Sequence, residues 1–232
     1  MVDDLARSES RASPSSSQAW LFTGTLSLGS YLLAEFRTRL VAPILYVALI
    51  WAVTIAAWLI PGAMAMLALV PRTEYGITGI LSMPLVHLGP QHLIANSVPL
   101  LMLGCLISIR HGHRYFLTAT FTCTGASGLL LWTFGRSAMH IGASGIVFAW
   151  FGLLLIQSFL PAPRNATIRL RERVIDVCIS VGVMFVYGSM LWGLLPTDQR
   201  ISWDGHLAGF VGGILTAWLG RHSSWGRRHS QN

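Results

Sequence analysis

Three short strings in this 232-residue chain hold residue types that can do nucleophilic chemistry. They are His87-Leu-Gly-Pro-Gln-His92-Leu-Ile-Ala-Asn96, Gly142-Ala-Ser144-Gly145, and Gly205-His206-Leu-Ala-Gly209 with Gly213 beyond it. A hydroxyl and an imidazole are the minimum for acyl transfer. The imidazole takes the hydroxyl proton during attack and returns it to the leaving amine. Ser144 and His206 are the candidate nucleophile and general base. The developing oxyanion needs hydrogen-bond donors. A serine at a helix start sits among backbone N–H groups without intrahelical partners, where the dipole favours negative charge. His92 and Asn96 lie one helical turn apart on one face, and both can donate.

Gly-Ala-Ser-Gly also occurs at 125–128. Ser127 falls mid-way along an apolar stretch, where its amide is already bonded within the helix. It is expected to pack between helices and not to react.

The elements that must position these groups are helices in a membrane. Hydrophobic residues make up 53% of the chain and charged residues only 11%, against about 25% charged in soluble domains. Mean hydropathy is +0.58. This balance excludes a disulfide scaffold, a disordered chain and an ordinary cytosolic enzyme. Six apolar stretches stand out, at 41–60, 85–109, 115–134, 142–160, 174–195 and 203–220. Each is expected to span the bilayer as a helix, because lipid offers no partner to an open backbone. The fold class is thus all-α, a polytopic six-helix bundle over 41–220. Residues 1–40 are expected to form a cytoplasmic tail with an interfacial helix in 19–40, and 221–232 a basic cytoplasmic tail. No signal peptide is expected at 1–18. The stretch 67–81, interrupted by Pro71, Arg72 and Glu74, reads as a long first loop.

All 16 basic residues are arginine. They flank apolar runs, so the basic balance reads as membrane topology and not as nucleic-acid binding. Thirteen fall on one side of the six-span arrangement and three, Arg72, Arg136 and Arg200, on the other. The richer side is cytoplasmic by the positive-inside rule, which places both termini there. Cys105, Cys123 and Cys178 lack C-x-x-C spacing and read as packing residues. Trp192 and Trp203 suit interface anchoring.

With that topology the second, fourth and sixth helices run inward. Each carries its polar group near the outer end: His87, His92 and Asn96, then Ser144, then Asp204 and His206. Polar side chains in a span are costly, so three at one depth point to one water-facing site. Gly205, Gly209 and Gly213 form a small-residue stripe that lets a neighbouring helix approach closely. Packing there would carry His206 to Ser144. Asp204 reads as a helix-start residue favoured by the dipole.

These strings, in this order and on these spans, resemble the rhomboid family of intramembrane serine proteases. Pro71-Arg72 and the Gly-Ile-Leu-Ser-Met-Pro run before His87 also look like that family's first loop. The resemblance implies a Ser144–His206 dyad without an acidic third member. It implies an oxyanion hole of His92, Asn96 and the Ser144 amide, with Gly142 and Gly145 supporting the serine. His87 would belong to the polar network of a water-accessible cavity. Phe148 stands where members often place a tyrosine under the catalytic ring. Gly79 and Ile80 stand where many bacterial members carry Trp-Arg, so the first loop should differ in detail. The implied substrates are transmembrane proteins, the partner medium is the lipid bilayer of the cell membrane, and the site faces the extracytoplasmic side. No metal or cofactor is needed.

Other readings fit less of the pattern. A zinc site from His87, His92 and His206 lacks a His-Glu-x-x-His string. An aspartyl protease would need Asp176 and Asp204 to face each other, yet the topology puts them at opposite membrane faces. A transporter would line the midplane with polar groups. An inactive rhomboid-like binding partner or chaperone would usually lack the serine or the histidine. His111, His113, His140, His222 and His229 are expected to be solvated or beside lipid phosphates.

Overall fold

A computed structural model describes residues 16–161, 170–197 and 201–222; of the tails expected at 1–40 and 221–232, residues 1–15 and 223–232 lie outside the described residues. The chain divides after Thr38 into two units, and everything that builds the site belongs to the second, from Arg39 onward. Among the described residues the regular structure is helical.

Helix α1 runs without a break over Ser16–Leu59, with Pro43 inside it. Residues 19–40, where an interfacial helix is expected, are helical throughout. Charges at Glu35, Arg37 and Arg39 mark where apolarity ends, but charge does not stop a helix. Leu, Ala, Glu and Arg are all strong helix formers. Beyond Arg39, Val47, Ile50, Thr54 and Ala57 are buried, while Ile44, Leu45, Leu49 and Ile55 are exposed. The buried positions recur every three or four residues, and the exposed face is as apolar as the buried one. Such a helix lies between a protein core and lipid.

Two short helices, α2 (Ala63–Leu67) and α3 (Gly79–Ser82), and a 3-10 turn (Met83–Leu85) organise the first loop. Helix α4 covers Pro90–His111, with Gly89 extended before it and Pro90 in the first turn. Proline there loses only an N–H that has no intrahelical partner. His87 thus precedes the helix, which begins at Pro90 and not at 85 as the 85–109 span expected. Helix α5 is His113–Phe134, α6 is Ser144–Ile156, α7 is Leu170–Tyr187 followed by a 3-10 turn over Gly188–Leu194, and α8 is Trp203–His222.

Three stretches are long and apolar enough to cross a bilayer by length and composition: Leu33–Leu59, Pro90–His111 and Leu170–Leu194. Helix α5 is richer in threonine. Its Thr118, Thr120, Thr122 and Thr124 hydroxyls donate to carbonyls four residues back on their own helix, which satisfies them without water.

Helix α6 is the centre of the bundle, with every residue from Gly145 to Leu154 buried. It is apolar all round, as a helix enclosed by others must be. It packs most extensively on α8, and the glycines explain how. A side chain built on Gly213 would run into the Ala149 carbonyl, and one on Gly209 into the Gly145 carbonyl. The two backbones touch at these points, which only hydrogen as a side chain permits.

Arginines tie off both ends of the bundle. Arg110 bridges to Glu172 and Asp176 of α7, each at 2.7 Å, and Arg39 donates to the Ile109 carbonyl at 2.7 Å. At the opposite end of α5, Arg72 donates to the Gly135 carbonyl at 2.7 Å and the Ser137 hydroxyl at 2.9 Å.

Candidate active site

Ser144 opens α6, and His206 lies in the first turn of α8. The glycine seam sets these two helix starts side by side. His206 Nε2 lies 3.0 Å from Ser144 Oγ, within the reach proton transfer requires. Phe148, one turn after the serine, lies parallel under the imidazole, with centroids 4.2 Å apart and planes at 13°. The other ring nitrogen, Nδ1, is 3.0 Å from the Gly193 carbonyl. That contact comes from the 3-10 turn after α7.

The backbone before Ser144 makes a sharp bend. Gly142 has φ of 117°, a left-handed conformation that disfavours any side chain. Space enforces the same choice, because a Cβ there would sit 2.6 Å from His92 Cε1. The His92 ring therefore packs directly on the bend. The next amide, Ala143 N–H, donates to His87 Nε2 at 3.1 Å. His87 Nδ1 lies 3.3 Å from Thr54 Oγ1, whose own proton goes to the Leu85 carbonyl at 3.0 Å. Thr54 can then only accept from the ring, so Nδ1 carries the hydrogen and Nε2 is free to accept. His87 is fully buried. It ties α1 to the loop holding the serine and does not line a water-accessible cavity, as the resemblance had implied. The physical reason is that its two nitrogens are both consumed by protein partners.

Beyond Ala143 the amides of Ile146 and Val147 already donate to the Ala143 carbonyl. Those of Ser144 and Gly145 precede any intrahelical acceptor. Asn96 is buried and donates one amide hydrogen to the His92 carbonyl at 3.0 Å. A primary amide has a second hydrogen to offer. His92 is half-buried, with its ring 4.9 Å from that of His87.

The family model of the Rhomboid domain matches residues 75–223, which include all three strings and every helix from α3 to α8. The chain belongs to the rhomboid family. Curated relatives include uncharacterized proteins of Mycobacterium bovis and Mycobacterium tuberculosis, each 34% identical over 158 residues, or 64% of this chain and 61% of the relative. A third, from Mycobacterium leprae, is 34% identical over 151 residues, covering 61% of this chain and 55% of its own. The chain thus spans less than two thirds of the length of the curated relatives it matches.

The first loop of this rhomboid is built on close packing where the Trp-Arg pair is missing. A Cβ on Gly79 would strike the Ala68 and Leu69 backbone, and one on Gly128 of α5 would meet the Ile80 backbone. Gly79 lets α3 close on the Ala68–Leu69 backbone, and Gly128 lets α5 approach Ile80. The loop also pairs with the bend before the serine, through an antiparallel bridge of Leu69 and His140.

Sequence reasoning missed a polar clamp beside the Ser144–His206 pair. Asp204 is buried, pairs with Arg136 Nη2 at 3.1 Å, and accepts the Arg136 backbone N–H at 2.8 Å. His140 is only 4% exposed. Its Nδ1 lies 2.8 Å from Ser202 Oγ and its Nε2 3.1 Å from the Arg136 carbonyl. The expectation of a solvated His140 is therefore corrected, and Asp204 does more than favour a helix dipole. The clamp holds the first turn of α8 against the loop that leads to Ser144. Asp204→Ala would leave the Arg136 amide without its acceptor and take the carboxylate from the guanidinium, which keeps the Ile201 carbonyl. It is expected to cost about 2–3 kcal/mol of stability, read as a lower unfolding midpoint by circular dichroism in micelles.

Ser127 is buried on α5 against α8, where a Cβ on Gly212 would meet its hydroxyl. Among the described residues its Oγ has no hydrogen-bond partner. Removing an unpaired buried hydroxyl costs little or stabilises. Ser127→Ala is expected to keep its unfolding midpoint, or raise it, and to leave the Ser144–His206 geometry untouched.

Proposed function

We propose that this rhomboid is an intramembrane serine endopeptidase, cutting a peptide bond in or beside a transmembrane segment of another membrane protein. The observation that carries the reading is the 3.0 Å approach of His206 Nε2 to Ser144 Oγ at the start of the central helix. In this reading His206 takes the Ser144 proton as Oγ attacks the scissile carbonyl. The oxyanion is met by the Ser144 amide, the His92 ring and the second amide hydrogen of Asn96. His206 then protonates the leaving amine, and water repeats the sequence on the acyl-enzyme.

Helix length supports a recessed site. The 13 residues of α6 make a rod of roughly 20 Å, short of the ~30 Å hydrocarbon core. With its far end level with the arginine-rich end of the bundle, its start lies inside the membrane profile. We take α1, α4, α5, α6, α7 and α8 as six spans, with 41–220 as the protease domain. Both termini are cytoplasmic, in a cell membrane, and the dyad opens toward the extracytoplasmic side. The 13-to-3 partition of arginines supports that orientation. Substrate helices would have to unwind at the cut, since a helix shields its own carbonyls.

The test is the full chain in proteoliposomes with a generic single-span substrate. Two fragments identified by mass spectrometry, and a fluorophosphonate adduct mapped to Ser144, are expected. A chain that binds the substrate, forms no adduct and yields no fragments would be an inactive rhomboid-like binding partner instead.

A further inference from the structure

We infer that the backbone carbonyl of Gly193 is a positioning partner of the base, so that the dyad operates with a main-chain third member. This inference rests on the hydrolytic reading above. The distance from His206 Nδ1 to the Gly193 oxygen is 3.0 Å. A carbonyl oxygen only accepts, so Nδ1 carries the hydrogen in this contact. The neutral ring then presents a lone pair on Nε2, the nitrogen 3.0 Å from Ser144 Oγ. In the opposite tautomer an N–H would point at the serine and could not take its proton.

The other contacts of the ring do not make this choice. Phe148 fixes the plane of the imidazole by stacking, but a stacked ring can turn over within its plane-parallel slot and exchange its edges. Only a directional acceptor tells one edge from the other. The nearby carboxylate does not supply it. Asp204 is turned to Arg136, Ser202 and His140. During attack the proton arrives on Nε2 and the ring becomes cationic. Its Nδ1–H bond to the carbonyl then becomes charge-assisted and stronger. An interaction that strengthens only in the transition state acts on kcat and not on KM.

The residue type fits the position. A Cβ on Gly193 would lie 3.2 Å from His206 Nδ1 and 3.2 Å from Phe148 Cζ. Gly193 is not among the glycines with positive φ, so alanine is compatible with its backbone. The crowding would be relieved by the turn backing away from the ring. Glycine is needed here for proximity, not for conformation.

Gly193→Ala in the full chain is expected to lower kcat on a single-span substrate by about ten- to a hundredfold, the scale of loss when a metal-bound histidine loses its orienting partner, with KM little changed. Gly182→Ala, on α7 where a Cβ meets nothing within 4 Å, should match wild type. Imidazole 15N spectra at high pH should show His206 of the wild type as the Nδ1–H tautomer and the Gly193→Ala variant as a mixture. An Nε2–H wild-type tautomer, or a Gly193→Ala variant with unchanged kcat, would overturn the inference. If that variant fails to fold, the wild-type spectrum still decides. A wild type that shows the Nδ1–H tautomer but cleaves nothing refutes the hydrolytic reading alone.

Discussion

Ser144→Ala is expected to reduce cleavage of a single-span substrate by at least about 10⁴-fold, to the level of an empty vesicle. The proposed reaction has one nucleophile, and the second Gly-Ala-Ser-Gly serine does not replace it, since Ser127 lies within the α5–α8 contact against Gly212 with its hydroxyl enclosed. His206→Ala should lose a similar amount. The double variant should lose no more than either single one, because groups that act as one unit are not additive. Stability should survive Ser144→Ala, whose hydroxyl bonds only His206 among the described residues; its loss costs about 1 kcal/mol at most. The assay is fragment yield in proteoliposomes over a long incubation, with the unfolding midpoint measured on the same preparation. A Ser144→Ala protein that keeps a tenth of wild-type cleavage would sink the proposed chemistry.

Gly213→Val should be the most damaging single change to the fold. The Gly213 Cα faces the Ala149 main chain so closely that an added Cβ overlaps the carbonyl. Where the obstacle is a side chain, rotation can make room. Main chain in the middle of a buried helix cannot move without shifting the whole of α6, the core element of the bundle. The expected cost is about 3 kcal/mol or more, visible as a collapse of the unfolding midpoint in micelles. The effect should extend to the site, because the same seam sets the Ser144–His206 distance; fluorophosphonate labelling of Ser144 should disappear with it. Gly125→Ala, on α5 where a Cβ meets nothing within 4 Å, serves as the neutral control. Normal melting and normal labelling of Gly213→Val would show that the two helices do not pack as described.

Much of the bundle was legible in the residues because its determinants are local. Apolar runs of a given length become helices whatever surrounds them, since lipid leaves the backbone no alternative. The stripe Gly205, Gly209 and Gly213 announces a close helix contact by spacing alone. That Ser144 starts a helix and Ser127 lies within one is also a local property.

What only the tertiary structure decided is which distant loops meet. His87 reaches the Ala143 amide across 56 residues of chain. His140 and Ser202 are 62 apart, and Asp204 finds Arg136 at a separation of 68. Nothing in the neighbourhood of these residues distinguishes a buried, fully bonded histidine from a solvated one. Gly193 is the extreme case. Its contribution is a main-chain oxygen that every residue possesses, so no residue type could signal it. A hydrogen bond depends on where two groups lie in space, and for groups carried by separate elements that placement exists only once the whole bundle has packed.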